Sequence, residues 1–151
     1  MVDDGLLGCA VAYVCHEPGG HTIFNMASPT FKLRFMYMAG YDDEEKFDRF
    51  AEGLTLDGGD VKCPYLVLAG EDDELSPIEY TYQIFDQIKT PKRLYVYQGE
   101  KHAFGGPAAS LGPHWLTTIA EWLRDRADGK PMSSERIYVD TMGRQQVTHV
   151  S

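Results

Sequence analysis

Two polar side chains each follow one of two consecutive predicted strands. Tyr65 to Ala69 is a short apolar run closed by Gly70, which is typical of a buried parallel strand, and Asp73 comes soon afterwards. The next predicted strand, Leu94 to Tyr97, is followed shortly by His102. Proteins of the α/β class build their sites at the carboxyl ends of parallel strands. We therefore expect Asp73 and His102 to lie together at one edge of a sheet.

A carboxylate held behind a histidine is two thirds of a nucleophilic triad. The carboxylate fixes the imidazole tautomer and stabilises the imidazolium, while the histidine carries the proton. This chemistry predicts a hydrogen bond between Asp73 and His102. Taken alone, Asp73 also fits a second role, because negative charge is favoured at the start of the helix that follows. Asp72 is interpreted as a solvated turn acid. His16 follows an earlier strand and fits either a surface turn residue, the favoured interpretation, or a residue that lines the same pocket.

A helix between the two predicted strands sets their relative direction. Ser76, Pro77 and Glu79 predict its first turn, with the serine as the cap and the glutamate closing a capping box. Its apolar residues share one helical face as far as Ile88. A right-handed crossover through such a helix makes the flanking strands parallel neighbours. The acid and the histidine are therefore expected at the same end of the sheet.

The chain before residue 61 contains two further parts. Leu6 to Cys15 is a continuous apolar run, which predicts a central strand buried on both faces. Residues 21–59 are broken into short pieces by prolines and glycines, and they include a helix from Asp42 to Gly53 capped by its first residue. Methionine and phenylalanine are concentrated between Phe31 and Met38, a composition that fits either a substrate-covering cap or ordinary core.

The last third of the chain predicts one long helix and a less defined end. A loop from Gly105 leads to a helix from Pro113 to about Ala127. The predicted buried stripe of this helix comprises Trp115, Leu116, Ile119, Trp122 and Leu123. Residues 132–151 form a C-terminal extension with weak alternation, which fits either a terminal hairpin or a tail.

The composition indicates a single folded domain and argues against several kinds of partner. The 151 residues are 43% hydrophobic and 12% aromatic, enough for one core over residues 1–151. The 14 basic and 23 acidic side chains give a formal charge of −9, which argues against nucleic acid or an anionic membrane as a partner. No apolar run reaches the length of a transmembrane helix.

The sequence indicates no cofactor and no metal. It contains no glycine-rich phosphate-binding loop. Cys9, Cys15 and Cys63 show no metal-ligand spacing with the histidines. Scattered and odd in number, they are typical of buried thiols in a reducing compartment, which predicts a cytoplasmic protein.

The segments GEDDELSP and GEKHAF, with the tryptophan-bearing helix after them, resemble the C-terminal part of an α/β-hydrolase over roughly residues 3–130. In that family the acid follows the seventh strand and the histidine the eighth. The resemblance implies Asp73 and His102 as the catalytic acid and histidine. It also implies an α/β fold with parallel strands 6–8, flanking helices and a helical cap at residues 21–59. The segment SPTFKLRF, with the acidic helix after it, resembles the corresponding segment in the esterase and carbon–carbon hydrolase branch of the family.

One part of the family pattern, the nucleophile elbow G-x-S-x-G, does not occur. Residues 108–112, AASLG, come nearest, but no strand leads into them, and an elbow needs a strand-to-helix turn to expose its hydroxyl. Ser110 is therefore interpreted as a loop residue. The family's elbow precedes its sixth strand, which LLGCAVAYVC resembles. The expectation is that this chain is the C-terminal portion of a longer hydrolase.

Three functions from different classes fit these features. The first is a serine hydrolase of a small-molecule ester or ketone, through a Ser-His-Asp triad whose serine is not in this chain. The second is a non-catalytic interaction domain, and the third is a small-molecule-binding pocket without turnover. Alone, the chain is expected to be inactive. It is also expected to self-associate or to pair with a complementary N-terminal half, because an unpaired apolar strand recruits other chains.

Overall fold

A five-stranded sheet forms the centre of the computed structural model, which describes residues 10–12 and 15–151. The strands lie side by side in chain order: β1 Ala10–Ala12, β2 Tyr65–Gly70, β3 Lys92–Tyr97, β4 Glu135–Val139 and β5 Gln145–His149. The first four are parallel, and β5 is antiparallel to β4. The parallel order of β1, β2 and β3 confirms the arrangement expected for strands 6–8 of the hydrolase fold.

Helices connect the parallel strands and cover both faces of the sheet. Those in the described part of the chain are α1 His21–Met26, α2 Pro29–Ala39, α3 Glu44–Ala51, α4 Ile78–Gln87, α5 Pro107–Leu111 and α6 Trp115–Ala127. Short 3-10 turns occur at Pro18–Gly20 and Gly58–Asp60. The α4 helix makes the crossover between β2 and β3. The α/β class predicted from the sequence is therefore confirmed.

Side chains of β2 and β3 alternate between two apolar cores, as the period of two along a strand requires. Tyr65, Val67, Leu94 and Val96 face α4, where they pack with Ile84, Phe85 and Ile88. The intervening side chains face the other side of the sheet, where the core comprises Leu66, Tyr95, Tyr97, Ala108, Ala109, Trp122, Ile137 and Val139. Both strands are thus buried on both faces, which explains why they appear as continuous apolar runs.

The segment between β1 and β2 builds a third, smaller core apart from the sheet. Met36, Phe47 and Ala51 are its buried members, with Phe24 and Tyr41 packed against them. The ring of Phe24 meets the ring of Phe47 edge-on at a centroid distance of 5.1 Å, the arrangement that aromatic quadrupoles favour. The aromatic residues of this segment therefore pack mainly on one another.

A buried lysine joins two helices of this segment. The Nζ atom of Lys32 lies 2.7 Å from a carboxylate oxygen of Glu44 and 2.7 Å from one of Asp48. Burial alone lowers the pKa of Lys32, but the hydrogen bonds and negative charges of Asp48 and Glu44 outweigh it and raise the pKa. The pair of carboxylates on α3 thus holds α2 in place.

Two predicted helix caps were wrong. Helix α3 is capped by Asp43 and not by Asp42, because the Asp43 carboxylate accepts from the backbone N–H of Lys46. Helix α4 begins at Ile78 after Pro77, and no side chain caps it, so the predicted capping box of Ser76 and Glu79 is absent. The backbone N–H of Ser76 is instead bound by Asp73.

Three predictions for the last third of the chain also change. Ser110 lies in helix α5 and not in a loop, and its hydroxyl donates to the carbonyl of Gly106. Of the stripe predicted on α6, only Trp122 is buried, while Leu116 and Leu123 are exposed. The C-terminal extension is a hairpin of β4 and β5, which resolves the choice between hairpin and tail.

The predicted first strand is only partly described. Ala10–Ala12 pairs in parallel with Tyr65–Val67, as expected for a strand beside β2. The rest of the prediction, at residues 6–9 and 13–14, and Cys9 with it, lies outside the described residues. Among the residues that are described, no strand pairs with the other side of β1. None of the helices among residues 10–12 and 15–151 is long and apolar enough to cross a membrane.

We expect the chain to self-associate at micromolar concentration. Leu33, Tyr37 and Met38 of α2 are 60%, 86% and 69% exposed and form an apolar surface that water does not favour. Sedimentation velocity should show species larger than the monomer. A Leu33→Lys/Tyr37→Lys variant should shift the distribution toward the monomer, whereas Thr148→Lys on the exposed strand β5 should not. A compact parent monomer that binds no apolar dye would contradict the prediction.

Candidate active site

The structure brings Asp73 and His102 together at the carboxyl ends of β2 and β3. The Nδ1 atom of His102 lies 2.9 Å from Oδ2 of Asp73 and 3.2 Å from Oδ1. The aspartate side chain is 9% exposed and the histidine side chain 24% exposed, so the pair is half-buried with the imidazole on the more open side. The predicted hydrogen bond is confirmed, and the catalytic role of the two residues stays a prediction.

The Asp73 carboxylate also organises its own turn. Its Oδ1 atom accepts hydrogen bonds from the backbone N–H groups of Leu75 at 2.8 Å and Ser76 at 2.9 Å. The second role considered from the sequence, a negative charge just before a helix, is therefore filled by the same side chain. Asp72 is exposed, as predicted, and only its backbone takes part, donating to the carbonyl of Glu100 at 2.9 Å.

The turns after β2 and β3 lie in direct contact. A Cβ atom on Gly70, the last residue of β2, would stand 2.3 Å from the carbonyl oxygen of Glu100. The Glu71 carboxylate bonds the turn after β2 to the turn after β3 and to β4, since it accepts from the Gly99 N–H at 3.3 Å and from the Tyr138 hydroxyl at 3.1 Å. Burial, with the Glu71 carboxylate beside it, raises the pKa of Tyr138 to about 12.

A small cavity borders the Asp73–His102 pair. It measures about 20 Å³, room for roughly one water molecule. Its polar lining residues are His16, Asp73, Ser76, Thr81 and His102, and Phe104 and residues 67–70 complete its wall. Polar side chains from three places therefore line the cavity: the turn after β1, helix α4, and the two turns that carry Asp73 and His102.

His16 is buried and lines the cavity beside the Asp73–His102 pair, so the favoured interpretation as a surface turn residue was wrong and the alternative is confirmed. It is 3% exposed, and its Nδ1 atom lies 3.0 Å from Oγ1 of Thr81. Its Nε2 atom lies 3.4 Å from the hydroxyl of Tyr65. Burial lowers the pKa of His16 and raises that of Tyr65 to about 12, so the cluster is held neutral. The available signal was its place after a strand, at the same sheet edge as Asp73.

A second, larger cavity lies between this turn and the helices of the insert. It measures about 290 Å³ and is lined by Cys15, Glu17, Gly19, Gly20, Ile23, Phe24, Phe31, Phe35 and Leu54. Glu17 is its charged member, and that carboxylate accepts from the N–H and the hydroxyl of Thr22 at 2.7 and 3.1 Å. The thiol of Cys15 lies 3.6 Å from the carbonyl of Leu75, next to the Asp73 turn. The cavity therefore adjoins the candidate site.

The α/β sheet, the acid after one strand and the histidine after the next define the chain as an α/β-hydrolase fold. The family model of the prolyl oligopeptidase family matches residues 12–130, and the chain belongs to this family. The predicted relationship to the α/β-hydrolases is thereby confirmed.

The fold is also similar to that of a solved enzyme, 2,6-dihydroxy-pseudo-oxynicotine hydrolase. The TM-score is 0.61 at 21% sequence identity, and the match covers 85% of this chain and 36% of the other. The chain thus spans about a third of the length of that hydrolase. No curated protein matches the chain significantly.

Replacing Asp73 by asparagine should weaken the hydrogen bond to His102. The carboxylate accepts from the imidazole and from two backbone N–H groups, whereas an asparagine has only one acceptor oxygen for these three donors. The substitution also removes the negative charge, which makes such hydrogen bonds roughly twice as strong. We expect the Nδ1 proton of His102 to exchange faster and move upfield in the NMR spectrum, with a loss of about 1–3 kcal/mol in stability.

The matched control for this substitution is Asp72→Asn. Its exposed side chain lies one residue away in the same turn, so the change of charge is the same and the contact is absent. The Nδ1 signal of His102 should be unchanged. Equal effects of the two substitutions would mean that net charge, and not the Asp73 contact, holds the imidazole.

The free energy of unfolding should fall as the pH drops below about 6.5, which is the ordinary pKa of a histidine side chain. Because burial lowers the pKa of His16 in the folded state, the unfolded chain binds a proton that the folded chain does not, and stability is lost as the pH falls. His16→Gln should reduce this slope. Chemical unfolding between pH 5 and about 8 measures it. A His16 ring that titrates in the folded chain at its ordinary value would contradict the prediction.

Proposed function

We propose that this chain supplies the acid and the histidine of a Ser-His-Asp hydrolase, with the nucleophilic serine contributed from outside these 151 residues. The observation that carries the proposal is the hydrogen bond of 2.9 Å between Asp73 and Nδ1 of His102, at the sheet edge and beside a cavity. Membership of the prolyl oligopeptidase family supports a hydrolase. The esterase or carbon–carbon hydrolase type and the triad itself belong to the proposal.

In the proposed mechanism each atom of the pair has a role. Asp73 accepts from Nδ1 of His102, so the neutral imidazole carries its proton there and Nε2 is the nitrogen that receives the proton of the serine hydroxyl. The carboxylate then stabilises the imidazolium while the serine attacks a carbonyl carbon. The C–O bond of an ester or the C–C bond of a ketone then breaks, and His102 gives the proton to the departing alkoxide or carbanion, which leaves the serine acylated. A water molecule that loses its proton to His102 then attacks the acyl carbon, and His102 returns that proton to the serine as the carboxylic acid is released.

Four serines of this chain form hydrogen bonds elsewhere in the structure. The hydroxyl of Ser110 donates to the Gly106 carbonyl, and that of Ser133 donates to Glu135. Ser28 contacts Thr30, and the Ser134 hydroxyl accepts from the backbone of Lys92.

Ser76 is the serine that lines the small cavity beside His102. Its backbone N–H donates to Asp73 Oδ1, which lies on the Nδ1 side of the His102 ring. The nucleophile of a triad stands on the opposite side of the ring, at Nε2. Ser76 is therefore assigned to the support of the acid and not to the attack.

The larger cavity supports a substrate with an apolar portion. Its walls carry Phe24, Phe31 and Phe35, and its inner end reaches Cys15 beside the Asp73 turn. We assign residues 21–59 as the cap that holds this portion and residues 132–151 as an extension of the sheet. The proposed substrate class is a small-molecule ester or ketone, in line with the structural similarity to 2,6-dihydroxy-pseudo-oxynicotine hydrolase.

The same cavity favours a second candidate function, binding of a small molecule without turnover. Its volume of about 290 Å³ is at the lower end of the range of ligand pockets, and its lining is mainly apolar with one carboxylate.

Within the proposal, the unpaired thiols of Cys15 and Cys63 support a reducing, cytoplasmic location.

The proposal is tested by two assays, one of the chain alone and one of a longer protein that contains this chain preceded by a G-x-S-x-G segment. Alone, the chain should neither turn over p-nitrophenyl esters nor react with a fluorophosphonate, since loss of a catalytic serine costs on the order of a million-fold in turnover. The longer protein should do both, and His102→Ala should abolish turnover. Ser110→Ala, whose hydroxyl bonds within helix α5, is the control and should retain it. Labelling of Ser76 in the chain alone would overturn the proposal.

A further inference from the structure

The turn that carries His102 is closed by a buried carboxylate for which the proposed mechanism has no use. Glu100 is 2% exposed and stands two residues before the histidine. Its Oε2 atom accepts from the backbone N–H groups of Gly105 at 2.9 Å and Gly106 at 2.7 Å, and its Oε1 atom accepts from Ala109 at 2.9 Å. The side chain therefore spans the loop from one side of His102 to the other.

The same residue also holds the turn of the acid. Its carbonyl oxygen accepts from the backbone N–H of Asp72 at 2.9 Å, next to Asp73. One end of Glu100 is thus bound to the turn after β2, and the other end to the loop after His102. A movement of either turn relative to the other requires one of these hydrogen bonds to break.

From these contacts we propose that Glu100 is the positioning residue of the Asp73–His102 pair. It fixes the loop on which the imidazole stands, at the distance from which Nδ1 reaches the Asp73 carboxylate. The inference rests on the proposed function for its catalytic meaning and on the geometry alone for its structural content. Glu100 does not line the cavity beside His102, so it acts through the histidine and not on a substrate.

The carboxylate is held in its charged form by backbone groups. Burial alone raises the pKa of Glu100, but the N–H donors of Ala109, Gly105 and Gly106 outweigh it and lower the pKa. A carboxylate bound in this way is acceptor-only and satisfies several N–H groups at once. An amide of the same shape offers one acceptor oxygen and turns its NH₂ group toward the other donors.

Two glycines make room for this arrangement. A Cβ atom on Gly106 would stand 2.7 Å from Oε1 of Glu100, and one on Gly70 would stand 2.3 Å from its carbonyl oxygen. The backbone of Gly106 is extended, with φ −88° and ψ −172°, a conformation open to any residue. An alanine there would therefore act chiefly by displacing the carboxylate.

A displacement of this loop matters for catalysis because proton transfer depends on distance. A shift of about 1 Å in a positioned group can cost roughly a hundred-fold in rate. The hydrogen bond between Asp73 and His102 is the direct reporter of that shift, and it is measurable in the chain as it stands.

The experiment compares Glu100→Gln with Gly106→Ala, using Glu135→Gln as the matched control. Glu135 is also a mostly buried carboxylate, with its side chain 13% exposed, but it pairs with Arg93 at the opposite end of the sheet. The readouts are the Nδ1 proton signal of His102 by NMR, amide exchange at residues 105, 106 and 109, and the thermal unfolding transition.

We expect Glu100→Gln and Gly106→Ala to lose the hydrogen-bonded Nδ1 signal and to exchange the three amides at least about tenfold faster, since opening of the loop then costs less free energy. Glu135→Gln should keep both. If Glu100→Gln keeps the Nδ1 signal while its amides exchange faster, Glu100 supports only the loop and the proposal is wrong. If that variant does not fold, Gly106→Ala decides by the same two signals.

The outcome is independent of the proposed function. The Nδ1 signal is read without substrate and without a nucleophile. An inactive longer protein with an intact signal would overturn the hydrolase assignment and leave the positioning role of Glu100 standing. A lost signal in Glu135→Gln as well would show a general loosening of the fold and overturn the specific role.

Discussion

The candidate site depends on the close approach of the two turns that follow β2 and β3. The strands pair in parallel as far as Gly70 opposite Tyr97, so both turns leave the sheet at the same level. At Gly70 the backbone of the next turn lies where a side chain would begin. Only this spacing lets the Asp73 carboxylate reach the imidazole of His102. The chemistry of the site is therefore a consequence of strand register and of one position without a side chain.

The polar side chains of the candidate site and the apolar side chains around the larger cavity lie in different parts of the molecule. The sheet edge supplies carboxylates held by backbone N–H groups, an imidazole at His102 held by the Asp73 carboxylate, and an imidazole at His16 held by hydroxyls. The insert supplies aromatic walls around a larger cavity. Its helices are joined by the buried Lys32, which pairs with the exposed carboxylates of Glu44 and Asp48. His16 stands between the two parts and bonds to α4 and β2.

Local patterns predicted the strands, the crossover and the pairing of Asp73 with His102, because each depends on residues close in sequence or on a general rule of chain direction. They failed where several distant elements decide the outcome. The burial of His16 depends on Thr81 and Tyr65, far along the chain. Ser76 and Glu79 form a plausible capping box, yet the backbone N–H of Ser76 binds Asp73, which also serves the histidine. Helix α6 buries Trp122 but leaves Leu116 and Leu123 exposed.

By itself, the sequence determined the α/β class, the order of the acid and the histidine, and the family to which the chain belongs. Periodicity, turn residues and spacing are properties of the chain, and they are set before it folds. Only the tertiary structure decided which polar side chains share a cavity, that Glu100 holds both turns, and that the last residues pair as a hairpin. These features arise from packing between elements far apart in sequence, where backbone groups select their partners by distance and burial.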